Sequence, residues 1–569
     1  MQQNRFHLLI IALLTTLGLN AQIFSPKKYP QQYFQWPVDA AVGIVANFGE
    51  LRPNHYHMGL DCRTDQVENK PVYAAAAGYI AKVKIEPFGF GRCIYINHPN
   101  GLTTLYAHLN AFEPALENYV TTQQYLLQRW DVFLDIPAKL FPVKAGDYIA
   151  NSGNTGGSQG PHVHFEIRDT KTDKVLNPLL FGFNIPDNVP PTIVRLAMYD
   201  RTKSTYDQSP QYVAIKKVGT HYEPVNATIV APSNYISFGI SAVDKVTGSA
   251  NPNGIYGAAV MDNNQLLSSF EMDSISYDET RYLNAHIDYK TRSSGGPFIQ
   301  HLSALPGYYN GIYKSYKNFG VTVMNNEPHA IAIVVADAAL NTDTLYFTVQ
   351  PPMPNAVKAP YNFNYTQKMI PGFINVFERN NLRFYLPENA LYDTVNFVYK
   401  ETPVANGATV YQLHNATVPV QCYYSISILD DVALTDTGKM MMKTVYGSKT
   451  DFKKANFSKG GWFTAAFRNF GTFQLVKDTL PPSLTPIGFK DGMKASSLKR
   501  LLFSVVDNTE EIGSFNAWLD GNWLRFSNDK GRNFIYVFDE KCAPGAHTLM
   551  IKVADLCGNT TTKTFAFTR

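Results

Sequence analysis

The chain has 569 residues, of which 45% are hydrophobic and 17% charged, with a formal net charge of +4. That length exceeds what one hydrophobic core organises and predicts three or four domains, while a charge so small and dispersed leaves no electrostatic footprint for nucleic acid. Aromatic residues make up 13% of the chain, with 34 Tyr and 36 Phe, which suits strand-rich structure.

At the start, Arg5 and His7 precede an apolar run from Leu8 to Leu19, and Leu19-Asn20-Ala21 offers a small residue at a cleavage position. Residues 1–21 therefore read as a signal peptide. The run is too short to span a bilayer, and no later stretch is long and apolar enough. The mature chain is expected to be exported, periplasmic or extracellular, without a transmembrane segment.

Three separated fragments follow: His57-Met58-Gly59-Leu60-Asp61, Tyr106-Ala107-His108-Leu109 and Gly160-Pro161-His162-Val163-His164. Zinc takes imidazole nitrogen and carboxylate oxygen, and a hydrolytic site keeps three protein ligands with a fourth position open. His57, Asp61 and His164 can be those three, leaving His108 and His162 as a proton-handling and oxyanion-stabilising pair. In an extended strand, side chains two apart share a face, so His162 and His164 emerge together while Val163 and Phe165 face a core. His57 and Asp61, four apart, share a face on a strand too, although that spacing also suits a helix. Tyr79 to Ile85 and Cys93 to His98 alternate as strands do, the second before an Asn100-Gly101 turn signal. Arg52 is a candidate substrate-carboxylate contact or an ion-pair partner, His55 a second-shell or surface residue, and His98 a structural one. Cys62 should face away from a metal held by Asp61.

Between the second and third fragments, Leu116, Tyr119, Val120, Leu126, Leu127, Trp130, Phe133 and Leu134 recur at roughly helical spacing, predicting a helical insertion over about 113–137. It is read as a lid, a partner or glycan contact, or a helix packed on the domain.

Beyond residue 185 the text repeats. Asp187-Asn188-Val189-Pro190-Pro191 recurs as Asp478-Thr479-Leu480-Pro481-Pro482. The strand ending at Asp244 recurs as the one ending at Asp507, and His329 to Asn341 parallels His547 to Asn559. These predict immunoglobulin-like β-sandwiches at 186–352 and 478–569, with a third sandwich at 355–477 between them. Asp337 and Asp555 are placed to cap a turn by side-chain hydrogen bonds, with a calcium role as the alternative. The odd set of five cysteines leaves at least one unpaired within the chain, and Cys542 with Cys557 is the candidate bridge.

Phe48 to Arg168 resembles the lysostaphin-type, LytM-like zinc metallopeptidases. The matching pieces are Phe48-Gly49 and Arg52 before His57-x-Gly59-x-Asp61, Pro71-Val72-Tyr73-Ala74-Ala75, Gly78, Asn97-His98 with Asn100-Gly101, Tyr106-Ala107-His108-Leu109, Val143-Lys144-Ala145-Gly146-Asp147, and Gly153-Asn154-Thr155-Gly156 leading to Gly160-Pro161-His162-Val163-His164-Phe165-Glu166-Ile167-Arg168. The resemblance implies an antiparallel β peptidase domain over about 30–185, with His57, Asp61 and His164 holding one zinc ion and His108 and His162 as the catalytic pair. It implies hydrolysis of peptide bonds in bacterial peptidoglycan, stem peptide or cross-link, by a zinc-activated water. Which histidine takes the proton stays open. All five residues are present, which argues for an active enzyme. The alternative is a wall-binding scaffold, or an activator of another hydrolase, without turnover. The sandwiches are read as spacers or as surfaces for wall polymer or a protein partner.

Overall fold

The computed structural model describes residues 23–25, 27–315, 317–353, 364–404, 408–431, 434–531 and 533–569. The expected signal peptide at 1–21 lies outside them. Among the described residues no helix is long and apolar enough to cross a membrane.

The N-terminal domain is built on an antiparallel sheet ordered Ile44–Ala46, Leu60–Arg63, His162–Asp169, Leu102–Ala107, Arg92–Asn97, Gly78–Ile85 and Val132–Asp135. The Asn-Gly signal makes its hairpin: Gly101 takes φ 80°, Asn100 accepts the Leu102 N–H at 3.1 Å, and the flanking strands pair. A smaller sheet of Pro71–Tyr73, Tyr148–Asn151 and Ala111–Phe112 completes the domain. Alternation decides what faces what. Val163, Phe165 and Ile167 are fully buried in one apolar core with Val83, Ile94, Ile96 and Ile149, so His162, His164 and Glu166 point the other way.

The insertion is helical only from Pro114 to Leu127. Glu113 caps it through the Ala115 and Leu116 N–H groups, and Gln128 ends it in the left-handed region. The expectation of helix to residue 137 is corrected beyond that point, because Val132–Asp135 is a strand paired with Lys82–Ile85. Within it Val132 is buried and Phe133 exposed, the period of an edge strand. Leu116 and Val120 enter the peptidase core.

Residues beyond 190 form β-sandwiches. Two sheets run through Thr192–Gln350, two five-stranded sheets with a strand pair through Gln367–Lys477, and two more through Ser483–Thr568. The first is no separate bead, since Phe48, Tyr56 and Met58 of the N-terminal domain share a core with Tyr256, Phe270 and Met272, and Val175–Leu176 pairs with Ser274–Ile275. The last folds back on the insertion: Tyr125 meets Trp523 with ring centroids 5.5 Å apart, and Arg525 donates to Thr121 and Gln124.

All five cysteines, each among the described residues, are free, so the expected Cys542–Cys557 bridge is not formed. Cys542 precedes the strand Ala546–Asp555 and Cys557 follows it. A strand of that length holds its ends about 30 Å apart, whereas a disulfide needs Cα atoms within about 7 Å.

Candidate metal centre

His164 stands in register with Asp61 on one neighbouring strand and with Ala107 on the other. Asp61 and His164 therefore reach the same face from two neighbouring strands, and the end of the third delivers His108. His108 itself has φ 61°, a strained value for a residue with a side chain, and its N–H bonds the Phe90 carbonyl at 3.0 Å. His57 lies outside any strand, contrary to the shared-strand reading of His57 and Asp61; it is held by backbone bonds of Gly49 N–H to His57 O and His57 N–H to Glu50 O, each 2.8 Å. Gly59 is required by close approach, because a Cβ there would lie 2.5 Å from the Phe165 carbonyl oxygen and 2.9 Å from His164 Nε2.

Three ligand atoms converge. His57 Nε2 is 2.9 Å from Asp61 Oδ1 and 3.0 Å from His164 Nδ1, which is itself 3.0 Å from Asp61 Oδ1. Ligand atoms about 2.0–2.1 Å from a tetrahedral zinc would be about 3.3 Å apart, so this donor set fits zinc with a slight expansion. The tautomers fit as well. A carbonyl oxygen only accepts, so His57 donates from Nδ1 to Asn47 O at 2.8 Å and keeps the Nε2 lone pair inward. His164 donates from Nε2 to Glu166 Oε1 at 2.9 Å and keeps Nδ1 inward.

Electrostatics point the same way. Burial works against ionising Asp61, but His57, His162 and His164 hold its carboxyl well below the usual range. His164 is pushed up to about 9: burial opposes its charge, and Asp61 and Glu166 outweigh burial. The field at the meeting point of the three atoms thus favours positive charge. Burial and the neighbouring His162 and His164 push His108 down to about 3, which keeps it neutral at ordinary pH.

The remaining pair sits across this point. His108 donates from Nδ1 to Thr155 O at 2.8 Å and His162 from Nδ1 to Gly160 O at 2.8 Å, which leaves Nε2 as the acceptor nitrogen of each ring. Their ring centroids are 4.8 Å apart, and His162 Nε2 lies 3.3 Å from Asp61 Oδ1. Arg52 reaches Asp61 Oδ2 at 3.8 Å and Glu50 at 3.1 Å. His55 is exposed, and His98 bonds Ala77 O and Thr104 in the fold. Cys62 is buried in the core behind the site.

Sequence reasoning missed the supports. Glu166, fully buried, is gripped by Arg168 at 2.6 Å and by the Tyr277 hydroxyl, which comes from the first sandwich. Glu166 shares the face of His162 and His164, so the period of two was the signal for it. Tyr277 has no local signal.

The model of Peptidase family M23 matches residues 55–126, and that of the Zu5-like domain matches residues 366–478. The N-terminal domain is of the LytM-like type of family M23. Over 131 residues it is 36% identical to the DD-carboxypeptidase/endopeptidase Mpg of Neisseria meningitidis serogroup B, covering 23% of this chain and 24% of that protein. Over 141 residues it is 30% identical to the cell division protein DipM of Caulobacter vibrioides, covering 25% of this chain and 19% of that protein. The chain thus spans about a quarter or less of the length of these curated relatives. Among solved structures, the catalytic domain of lysostaphin from Staphylococcus simulans is similar at 23% identity, covering 24% of this chain and 87% of that one, with a TM-score of 0.18.

Proposed function

We propose that this protein is an exported zinc metalloendopeptidase that hydrolyses peptide bonds of bacterial peptidoglycan. The observation that carries the reading is the convergence of His57 Nε2, Asp61 Oδ1 and His164 Nδ1 to within 3.0 Å of one another, beside two further histidines held at Nδ1 by backbone carbonyls. When bound, zinc supplies Lewis acidity there, polarising a carbonyl and lowering the pKa of water. The chain's own residues do the rest. His108 and His162, each oriented at Nδ1 by a backbone carbonyl, divide two tasks: the Nε2 of one accepts the proton of the attacking water, and the other donates to the oxygen on which charge develops, for which it must carry a proton on Nε2. Glu166 and the Asn47 carbonyl hold the ligand imidazoles in orientation. Export is supported by the sequence of residues 1–21 and by the wall substrate itself.

The test is zinc content together with muropeptide release from sacculi. The expected result is one zinc per chain and release of peptides, both lost in His164→Ala with the sandwiches still folded. Stoichiometric zinc in His164→Ala would remove the ligand assignment. Zinc without any release from the wild-type protein would favour the non-turnover scaffold.

A further inference from the structure

A second cluster of metal-ligating side chains lies about the first sandwich's base, and the peptidase reading does not use it. Asp187, Asp244 and Asp337 bring one carboxylate oxygen each to within 4.8 Å of one another. Asp187 belongs to the linker leaving the peptidase domain, Asp244 follows the strand Tyr235–Val243, and Asp337 follows the strand His329–Ala336. Asp244 and Asp337 are 4% and 1% exposed.

Carboxylates gathered like this repel one another and cannot remain together in a buried place without compensation. The charges acting on Asp244 are Asp337 and Asp187, and with burial foremost they push its carboxyl up to about 7. Burial, against the bonds from Asn341, pushes Asp337 up to about 6.

An independent feature points to a ligand. Asn253 is 3% exposed, and among the described residues neither its side-chain nitrogen nor its side-chain oxygen has a hydrogen-bond partner; Asp244 Oδ1 has none either. Asn253 and Asp244 exchange both backbone bonds, at 2.9 and 3.0 Å, as an isolated antiparallel bridge. Directly opposed residues of such a pair present their side chains to the same face, so the orphaned amide is aimed at the carboxylates. Burying an amide unpaired is costly, and a coordinating cation would satisfy its oxygen.

The repeat supplies a comparison inside the same chain. Asn341 binds both oxygens of Asp337 as Asn559 binds those of Asp555. The third carboxylate differs. In the C-terminal copy, Asp507 Oδ2 accepts from both the N–H and the hydroxyl of Thr509, and Asp478 accepts from Asn508, each Asp keeping one oxygen spare. A protein ammonium is also at hand there, with Lys439 Nζ 2.6 Å from Asn559 Oδ1. In the first copy the positions of Asn508 and Thr509 are Lys245, exposed, and Val246, which has no side-chain donor. The carboxylates are thus present in the first copy without the side-chain donors that meet them in the second.

We propose that Asp187, Asp244, Asp337 and the side-chain oxygen of Asn253 form a calcium site that fastens the linker to the first sandwich. The donors are all oxygen, the choice of a hard cation, and oxygens on opposite sides of a calcium ion are about 4.8 Å apart at its usual bond lengths. Half-buried Asp187 leaves a side open on which water completes the shell. This site is independent of the zinc centre.

The experiment uses the full chain loaded with zinc, titrated with calcium by calorimetry and melted with and without it. Expected are one calcium per chain and a raised Tm. Asp244→Asn should abolish both and should raise the Tm of the calcium-free protein, because it removes a repelled buried charge; a carboxylate serving only as a structural acceptor would lower it. Asp507→Asn should keep the calcium response. No calcium binding up to about 10 mM, well beyond the range of extracellular calcium modules, would overturn the proposal. So would an unchanged response in Asp244→Asn, its loss in Asp507→Asn, or a preference for magnesium. Should Asp244→Asn fail to fold, Asn253→Ala is read instead: at least tenfold weaker calcium binding is expected, and unchanged affinity overturns the site.

Discussion

At the scale of single residues, the centre separates groups that meet the metal position from groups that only aim them. His108 and His162 are not among the three converging ligand atoms, so His108→Ala and His162→Ala should each retain zinc while turnover on peptidoglycan falls about a hundredfold or more. Normal digestion by either variant would show that its histidine has been given the wrong task. Tyr277 touches neither substrate nor metal position. Its hydroxyl reaches Glu166, which fixes the His164 tautomer, so Tyr277→Phe should weaken zinc affinity about tenfold, with the melting profile little changed; chelator competition reads this directly. Strand alternation put His162 and His164 on one face, and the spacing of the three motifs marked His57, Asp61 and His108 as residues to be brought together. Asn47 acts through its backbone carbonyl, which no side-chain pattern records, and Tyr277 is 111 positions from its partner.

Elements carry a similar lesson. The strands from Gly78 to Ala107 and the one at His162 follow from alternation and an Asn-Gly turn. The insertion was only half legible. A run such as Val132-Phe133-Leu134 fits a helix or a strand when read alone, and what decides it is the open edge of Gly78–Ile85, which accepts the run as a partner. The helix before it packs on both sides, with Leu116 and Val120 in the peptidase core and Thr121, Gln124 and Tyr125 against the last sandwich. Leu116→Ala should therefore cost about 2–5 kcal/mol in denaturant unfolding of the peptidase domain. A change below about 0.5 kcal/mol would mean that the site collapses around the lost side chain or that the helix is peripheral.

The whole molecule is less modular than its sequence. Repeats suggested a peptidase followed by beads, yet the first sandwich shares a core with the peptidase and the last returns to it. The return is specific. Asp529 accepts the Gly156 N–H at 2.8 Å, and Lys530 donates to Ser158 O at 2.8 Å and to Asn154 at 3.2 Å. The carbonyl that orients His108 belongs to Thr155, inside the same loop. Replacing both Asp529 and Lys530 with Ala should speed amide hydrogen exchange across Gly153–Ser158 while the zinc ligands keep their metal; unchanged exchange there would mean that the loop holds itself. Such contacts were invisible to periodicity because their partners are 372 to 376 positions apart.

That separation also sets an order of events for a chain threaded out amino end first. The strands bearing Asp61 and His164 and the one that ends beside His108 can pair as soon as residue 169 has emerged, since their contacts close modest loops. The clasp on Gly153–Ser158 waits for Asp529 and Lys530. Between those moments the molecule can take up zinc while the backbone behind His108 is still loosely held. Pulse-labelled chains halted before residue 528 should bind the metal and cleave poorly, and their activity should rise when the last sandwich is supplied. On the proposed reading, full turnover then waits for the far end of the chain.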